Sequence, residues 1–370
     1  MQYTQQGKNG PRISRLSMGC GRLPTDDAES TELIHRAIAA GINFFETATF
    51  YCNNLCLEKT GLGIKGHRDK VMLQIKIGTE PDSTADSFRR EMESQFGRLG
   101  VDRAEFFQFG WLSWERLPVV LKRGGPLEGV RRFQDEGLVQ HIGFTGHDTP
   151  ENFIRILETG LFESMTVSYN LLSRAYEKTI ARANELGVGV VVMNPVGGGM
   201  LGAPSETLRR LIPDGAATTA AAALRFVLAT PGVTTACSGM STIAQLEENV
   251  ATVDDTRPLA EDELAGIRKI LDEYKALGQS FCTGCKYCMP CPHGVDIPAN
   301  FNLHNYCTVY GFEDWARAQY EGMKAECRAD KCTECAECEP KCPQKIPIRA
   351  QLKQVSGRLA SSAPERSAQV

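Results

Sequence analysis

Two stretches near the carboxyl end carry the densest chemistry. Cys282 to Pro292 reads CTGCKYCMPCP, and Cys332 to Pro343 reads CTECAECEPKCP. The second has the spacing C-x2-C-x2-C-x3-C-P of bacterial [4Fe–4S] ferredoxins. Three thiolates at that step wrap one face of a cubane, and the fourth sits too far round and ligates the other cluster. Crossed pairing then gives Cys282, Cys285 and Cys288 with Cys342, and Cys332, Cys335 and Cys338 with Cys291. Two [4Fe–4S] clusters are expected. Zinc is the competing reading, because C-x2-C pairs also build zinc ribbons. Zinc takes its ligands as two pairs, whereas each run here offers a third cysteine at the same step and a Cys-Pro end. The first run is one residue shorter before its last cysteine, which leaves open whether Cys291 reaches a cluster.

A second constellation lies upstream. Tyr51 follows the acidic segment ETATFY that starts at Glu46, and Lys76 closes the apolar run in LQIKIG. An ammonium beside a phenol stabilises the phenolate and makes the tyrosine a general acid, while a carboxylate can hold the lysine in place. The bland alternative is a structural ion pair between Glu46 and Lys76. The glycines Gly197, Gly198 and Gly199 and a helix start at Ser241–Thr242, just after Gly239, could hold phosphates through backbone N–H groups. A plain loop is the alternative there.

These residues need elements to position them. Short apolar runs alternate with segments of helical period from residue 12 to about 253. Strands are expected at Leu16–Met18, Phe44–Phe45, Val71–Ile75, Phe106–Phe109, Ile142–Phe144, Met165–Val167, Val188–Met193 and Thr234–Cys237. Helices are expected at Thr25–Ala40, Ser83–Leu99 and Ser173–Leu186, each with a polar start and a following glycine. Eight strands, each followed by a helix, over about 240 residues fit a closed α/β barrel, a (β/α)8 TIM barrel. The runner-up is an open doubly wound sheet, but no GxGxxG follows the first strand. Catalytic residues of such barrels sit at the C-terminal strand ends, where Glu46, Lys76 and His147 all fall. The expected division is 1–277 for the barrel, 278–355 for a small, mainly α-helical ferredoxin-like domain, and 356–370 for a disordered polar tail. In that second domain, helices are expected at Pro298–Tyr306 and Glu313–Cys327.

Composition narrows the function classes. Lys plus Arg number 41 against 45 Asp plus Glu, a net charge of −4, which gives no electrostatic case for nucleic acid. No apolar run approaches the roughly 20 residues that span a bilayer. Fourteen cysteines without a leader-like start point to a reducing, cytoplasmic setting.

The ordered set GINFFETATFY, QIKIG, HIGFTGH, YNLLSR, NPVGGGML and SGMSTIAQLEEN resembles the aldo/keto reductases over roughly residues 1–255. The cysteine-rich end resembles the branch with a C-terminal ferredoxin-type domain carrying two [4Fe–4S] clusters. The resemblance implies a (β/α)8 barrel, a nicotinamide cofactor, usually NADPH, and hydride transfer to the carbonyl of a small-molecule substrate. It carries the catalytic tyrosine onto Tyr51 and the lysine onto Lys76. Glu46 stands where the family has aspartate, and Gly110 where it has histidine, so His147 is the substitute candidate. Asn170, Gln245, Glu248 and Asn249 join the glycine loop and Ser241–Thr242 as implied cofactor positions. No arginine is evident there for a 2′-phosphate.

A hydride carries two electrons and each cluster accepts one, so a flavin is the usual splitter. No flavin signature stands out, and flavin stays among the open assignments. Three functions remain: an oxidoreductase exchanging electrons through its clusters, with a ferredoxin or flavodoxin as candidate partner; an NADPH-dependent carbonyl reductase with structural or redox-sensing clusters; and an idle barrel serving electron transfer.

Overall fold

The computed structural model describes residues 1–213, 215–254, 259–277, 288–342 and 345–360. The chain forms two compact units. One comprises Met1–Gly199 with Ala223–Ala260, and the other Met200–Ala222 with Glu261 onward.

The first unit begins with an antiparallel hairpin of β1 (Tyr3–Gln5) and β2 (Arg12–Ser14). Eight parallel strands follow: β3 (Leu16–Gly19), β4 (Phe44–Glu46), β5 (Met72–Gly78), β6 (Ala104–Gly110), β7 (Val139–Thr145), β8 (Ser164–Ser168), β9 (Gly189–Met193) and β10 (Val233–Ser238). They close in chain order, with β10 pairing back onto β3. Every residue of β6, AEFFQFG, is buried, as expected for parallel strands covered on both faces. Inside the barrel, the Gln108 amide donates to Ser164 Oγ at 2.7 Å. A side-chain carbon at Gly143 would lie 2.2 Å from that Oγ, so glycine is what lets the pair meet.

The helices between strands are α1 (Asp27–Ala39), α2 (Cys56–Ile64), α3 (Ala85–Leu99), α4 (Leu117–Leu121), α5 (Pro126–Asp135), α6 (Pro150–Glu158) and α7 (Glu177–Glu185). Their ends follow local chemistry. Asp26 Oδ1 accepts from the N–H groups of Ala28 and Glu29, both at 2.9 Å, and starts α1. Thr84 and Ser87 form a reciprocal capping box at α3, which stops at Gly100 with φ +65°. The helix expected from Ser173 begins only at Glu177. Asn170 Oδ1 takes the N–H groups of Leu172 and Ser173, at 2.9 and 3.0 Å, into a turn that competes with helix.

The remaining helices are α8 (Glu206–Arg209), α9 (Thr219–Ala229), α10 (Ile243–Asp254), α11 (Glu261–Leu277), α12 (Ile297–Thr308), α13 (Glu313–Gly322) and α14 (Ile348–Leu359). In the second unit, α12, α13 and α14 enclose a core that includes Phe301, Tyr320, Leu352 and Val355. Buried Asn300 ties it together, donating to the carbonyls of Asp296 and Cys327 and accepting from Ala329 N–H. In the same unit, Ser205 Oγ donates to the Tyr310 carbonyl at 2.6 Å.

Two expectations need correction. The helix from Glu313 stops at Gly322, and a separate 3-10 turn covers Ala325–Cys327. The tail does not begin at Ser356: α14 runs to Leu359, which is fully buried. Burying a leucine contributes about 1.5–3 kcal/mol, enough to hold a last helical turn made otherwise of small and polar residues. Residues 361–370, Cys282 and Cys285 lie outside the described residues. Among the described residues, no helix is long and apolar enough to cross a membrane.

Candidate functional site

The C-terminal ends of β4 and β5 are hydrogen-bonded neighbours, with Glu46 opposite Gln74. That register brings Glu46 and Lys76 together. The Lys76 ammonium forms an ion pair with Glu46 Oε1 and donates to Tyr51 Oη at 2.5 Å. Tyr51 Oη in turn lies 3.4 Å from Glu46 Oε1. Both charged side chains are 8 % exposed, so the pair is buried. Burial alone would push the Lys76 pKa down, but Glu46 and Tyr51 outweigh it and hold the ammonium charged. Burial, reinforced by Glu46, raises the Tyr51 pKa, and Lys76 opposes that rise. The phenol therefore keeps its proton, as a proton donor must.

The loop around Tyr51 is packed, not free. A side-chain carbon at Gly21 would lie 3.1 Å from the Tyr51 ring. Gln95 Nε2 donates to the Lys76 carbonyl and to Thr49 Oγ1, fixing the loop to the strand. Gly110 offers no side chain. The next residue, Trp111, has φ +54°. Its ring covers Gly78, where an added carbon would lie 2.4 Å away, and stacks on Phe50 at 5.5 Å. An exposed aromatic pair thus flanks Gly110.

A cavity of about 1160 Å³, counting its open mouth, lies at this end of the barrel. Glu46, Tyr51 and His147 are among the residues that line it. Arg22, Gly198, Gly199, Gly239, Ser241 and Gln245 line it as well. Gly198 and Gly199 have φ +68° and +103°, and nothing lies within 4 Å of where their side chains would point. They form a smooth, open cradle that any larger residue would fill. Gln245 Oε1 accepts from Ser241 N–H at 2.8 Å, and Thr242 Oγ1 accepts from Gln245 N–H at the start of α10.

Two other expected cofactor positions, Asn170 and Asn249, use their side-chain amides within the barrel. Asn170 Nδ2 donates to the Asn194 carbonyl at 3.1 Å, and buried Asn249 donates to Ser238 Oγ at 3.2 Å. The Glu248 carbonyl accepts from Thr252. Gly197 has φ +61° and starts the 3-10 turn of the glycine loop.

The sequence reading missed Arg22 and found no arginine near this end. Arg22 stands in the turn after β3 and donates to the Gly198 carbonyl at 3.4 Å. It lies 176 positions from that loop, and only barrel closure between β10 and β3 makes them neighbours. Its signal was its place at the end of the first barrel strand. Gly239 admits it: an added carbon there would sit 2.6 Å from Arg22 Cγ.

In the second unit, five of the expected ligands, Cys288, Cys291, Cys332, Cys335 and Cys338, line one cavity of about 380 Å³. Cys342 is buried in the adjoining core. Glu334 and Ala336 have φ +58° and +66°, coiling the chain between the three regularly spaced thiols. Among the described residues, no three His, Cys, Asp or Glu side chains stand close enough to hold a single metal ion.

A model described as the aldo/keto reductase family matches residues 15–272. The chain belongs to that family. A second model, described as a 4Fe-4S dicluster domain, matches residues 281–347 and favours iron–sulfur over zinc for the thiol runs. This aldo/keto reductase family member is 27 % identical over 308 residues to an uncharacterised oxidoreductase, YrpG, of Bacillus subtilis, covering 69 % of this chain and 91 % of that one. It is similar to the holo form of aldo-keto reductase AKR11C1 from Bacillus halodurans, with a TM-score of 0.64 and 24 % identity over 73 % of this chain and 96 % of the other. An aldo/keto reductase from Klebsiella pneumoniae, solved with NADP and acetate, has a TM-score of 0.62 at 21 % identity, covering 73 % and 96 %. These likenesses bear out the barrel and its oxidoreductase family.

The residues present fit both implied groups. The dicluster region supplies thiols around a common cavity, the soft donors that iron–sulfur clusters take. The barrel mouth supplies a glycine cradle, a helix start and a cation for a dinucleotide's phosphates.

Proposed function

We propose that the barrel interconverts a carbonyl and a hydroxyl group on a small organic molecule, and that two [4Fe–4S] clusters exchange electrons with this reaction or with a ferredoxin- or flavodoxin-type partner. The observation that carries the reading is the closed Glu46–Lys76–Tyr51 relay, whose Glu46 and Tyr51 line a roomy cavity. Tyr51 Oη delivers one proton to the carbonyl oxygen in reduction and takes it back in oxidation; without nicotinamide the two clusters would supply the two electrons one at a time and solvent the second proton, to carbon. Lys76 stabilises the phenolate that forms, and Glu46 keeps Lys76 charged. His147 lines the same cavity and orients the substrate oxygen in place of the absent histidine at Gly110. Cys282, Cys285, Cys288 and Cys342 would hold one cluster, and Cys332, Cys335, Cys338 and Cys291 the other, supplying one-electron capacity.

A second reading is favoured by Arg22 and the Gly198–Gly199 cradle. NADP(H) held there would supply the electron pair as hydride, leaving the clusters structural or redox-sensing. Anaerobically purified protein separates the two. Iron and sulfide matching two cubanes, cluster bleaching by reduced ferredoxin and substrate turnover without nicotinamide support the first. Turnover with NADPH alone and silent clusters support the second. No turnover with either donor overturns both.

A further inference from the structure

We propose that Cys52 and Cys56 form a redox-active dithiol beside Tyr51, in which Cys52 is attacked first and Cys56 resolves, with a low-molecular-weight disulfide such as glutathione disulfide as oxidant. The inference concerns thiols that neither the relay nor the dicluster region uses, and it does not depend on the proposed reaction.

Three observations converge. The Cys52 and Cys56 thiols both donate to the same acceptor, the Cys20 carbonyl, at 3.3 and 3.2 Å. The chain between them closes in a turn: Leu55 N–H donates to the Cys52 carbonyl at 3.1 Å and Cys56 N–H to the Tyr51 carbonyl at 3.3 Å. The two sulfurs therefore meet at one carbonyl oxygen from the two ends of a single turn.

The second observation is backbone strain. Cys52, Asn53 and Asn54 have φ of +50°, +55° and +67°, three consecutive non-glycine residues in the left-handed region. Asparagine tolerates that conformation, and cysteine much less so. The strain falls on the residue that carries the first thiol, the kind of local cost that clusters at functional sites.

The third observation is asymmetric access. Cys52 is half-buried and Cys56 fully buried, while Asn53 and Asn54 between them are exposed. A soluble disulfide reaches Cys52 and not Cys56. Electrostatics agrees with this order: the neighbouring Cys56, helped by Leu23 N–H and the Lys59 ammonium, brings the Cys52 thiol down to about 6, whereas Cys56 is raised. A half-buried, low-pKa thiol backed by a protonated, sheltered partner is the arrangement of an attacking and a resolving cysteine.

The chemistry balances. Cys52 thiolate attacks one sulfur of glutathione disulfide, forming a mixed disulfide and releasing one glutathione thiolate. Cys56 gives its proton to that thiolate through solvent and attacks Cys52 Sγ. The second glutathione leaves, so two protein thiols have lost two electrons and two protons to one disulfide. The bond would tie the loop that carries Tyr51 to Cys56. Cys56 Sγ also contacts Thr47 Oγ1 at 3.1 Å, next to Glu46.

The test uses anaerobic holoenzyme in glutathione buffers of rising disulfide fraction, with cluster absorbance followed in parallel. Trypsin cuts after Arg36 and Lys59, and the peptide between them holds only these two cysteines. Its mass should fall by two hydrogens and recover with dithiothreitol. Cys56→Ser should trap glutathione on Cys52, and Cys52→Ser should leave Cys56 unmodified. The proposal is overturned if the peptide stays reduced at full disulfide, if wild-type Cys52 retains glutathione, or if Cys56 pairs instead with Cys20. With iodoacetamide as probe, Cys52 should alkylate at least ~10-fold faster than Cys20; equal rates also overturn it.

Discussion

Replacing Glu46 by glutamine tests the relay where it is most exposed to failure. The substitution keeps size and removes the charge opposite a lysine whose side chain is 8 % exposed. Removing one partner of a buried ion pair costs about 3–5 kcal/mol, because the other charge is left without compensation. For a barrel of this size each kcal/mol moves the melting point by about 2–4 °C. The barrel transition should therefore fall by about 6–20 °C, read by circular dichroism on anaerobic holoenzyme. Lys76 should also titrate lower, since burial then acts with less opposition, and turnover should drop with it. The double variant Glu46→Leu/Lys76→Met should regain much of the lost stability, because a matched apolar pair avoids the desolvation cost, yet regain no activity. A melting point within ~2 °C of wild type for Glu46→Gln would refute the buried-pair argument. A double variant that turns over would refute the catalytic one.

Tyr51→Phe keeps the ring that packs on Gly21 and deletes the proton, so turnover should fall by about 10²- to 10⁴-fold with ligand binding little changed; near-wild-type rates in steady-state assays would remove Tyr51 from the mechanism. Arg22→Ala deletes a cation at the glycine cradle, and NADPH affinity by fluorescence titration should weaken by about tenfold; an unchanged Kd would place the phosphates elsewhere. The folded Tyr51 pKa lies above the ordinary 10.0, and that of Lys76 above 10.5. As pH rises past those ordinary values the unfolded chain sheds protons that the folded chain retains, so stability from both groups is full below about pH 10 and lost above it. Denaturant midpoints from about pH 8 to 11 should show that loss, and Tyr51→Phe should lose less.

What the sequence disclosed depended on how local the cause was. The eight barrel strands stood out because each is a short apolar run, and α3 because Thr84, Ser87 and Gly100 mark its ends within one window. The hairpin β1–β2 escaped notice, since three-residue strands carry no period. The last turn of α14 read as tail because Leu359 is the one apolar residue there, and its burial is a tertiary fact. At the site, Glu46, Tyr51 and Lys76 were legible from strand ends. Arg22 was not, because its meeting with Gly198 depends on how β10 closes onto β3.

The segment Met200–Ala222 groups with the residues from Glu261 onward rather than with the barrel strands on either side of it in sequence. The chain therefore crosses between its two units three times. A stop codon after the barrel would strand this insert, leaving Ser205 without the Tyr310 carbonyl it bonds. The chain path therefore joins the two units at three points in sequence, not through a single linker. Graftable versions of either half would need three cuts and a bridging linker in place of the missing segment.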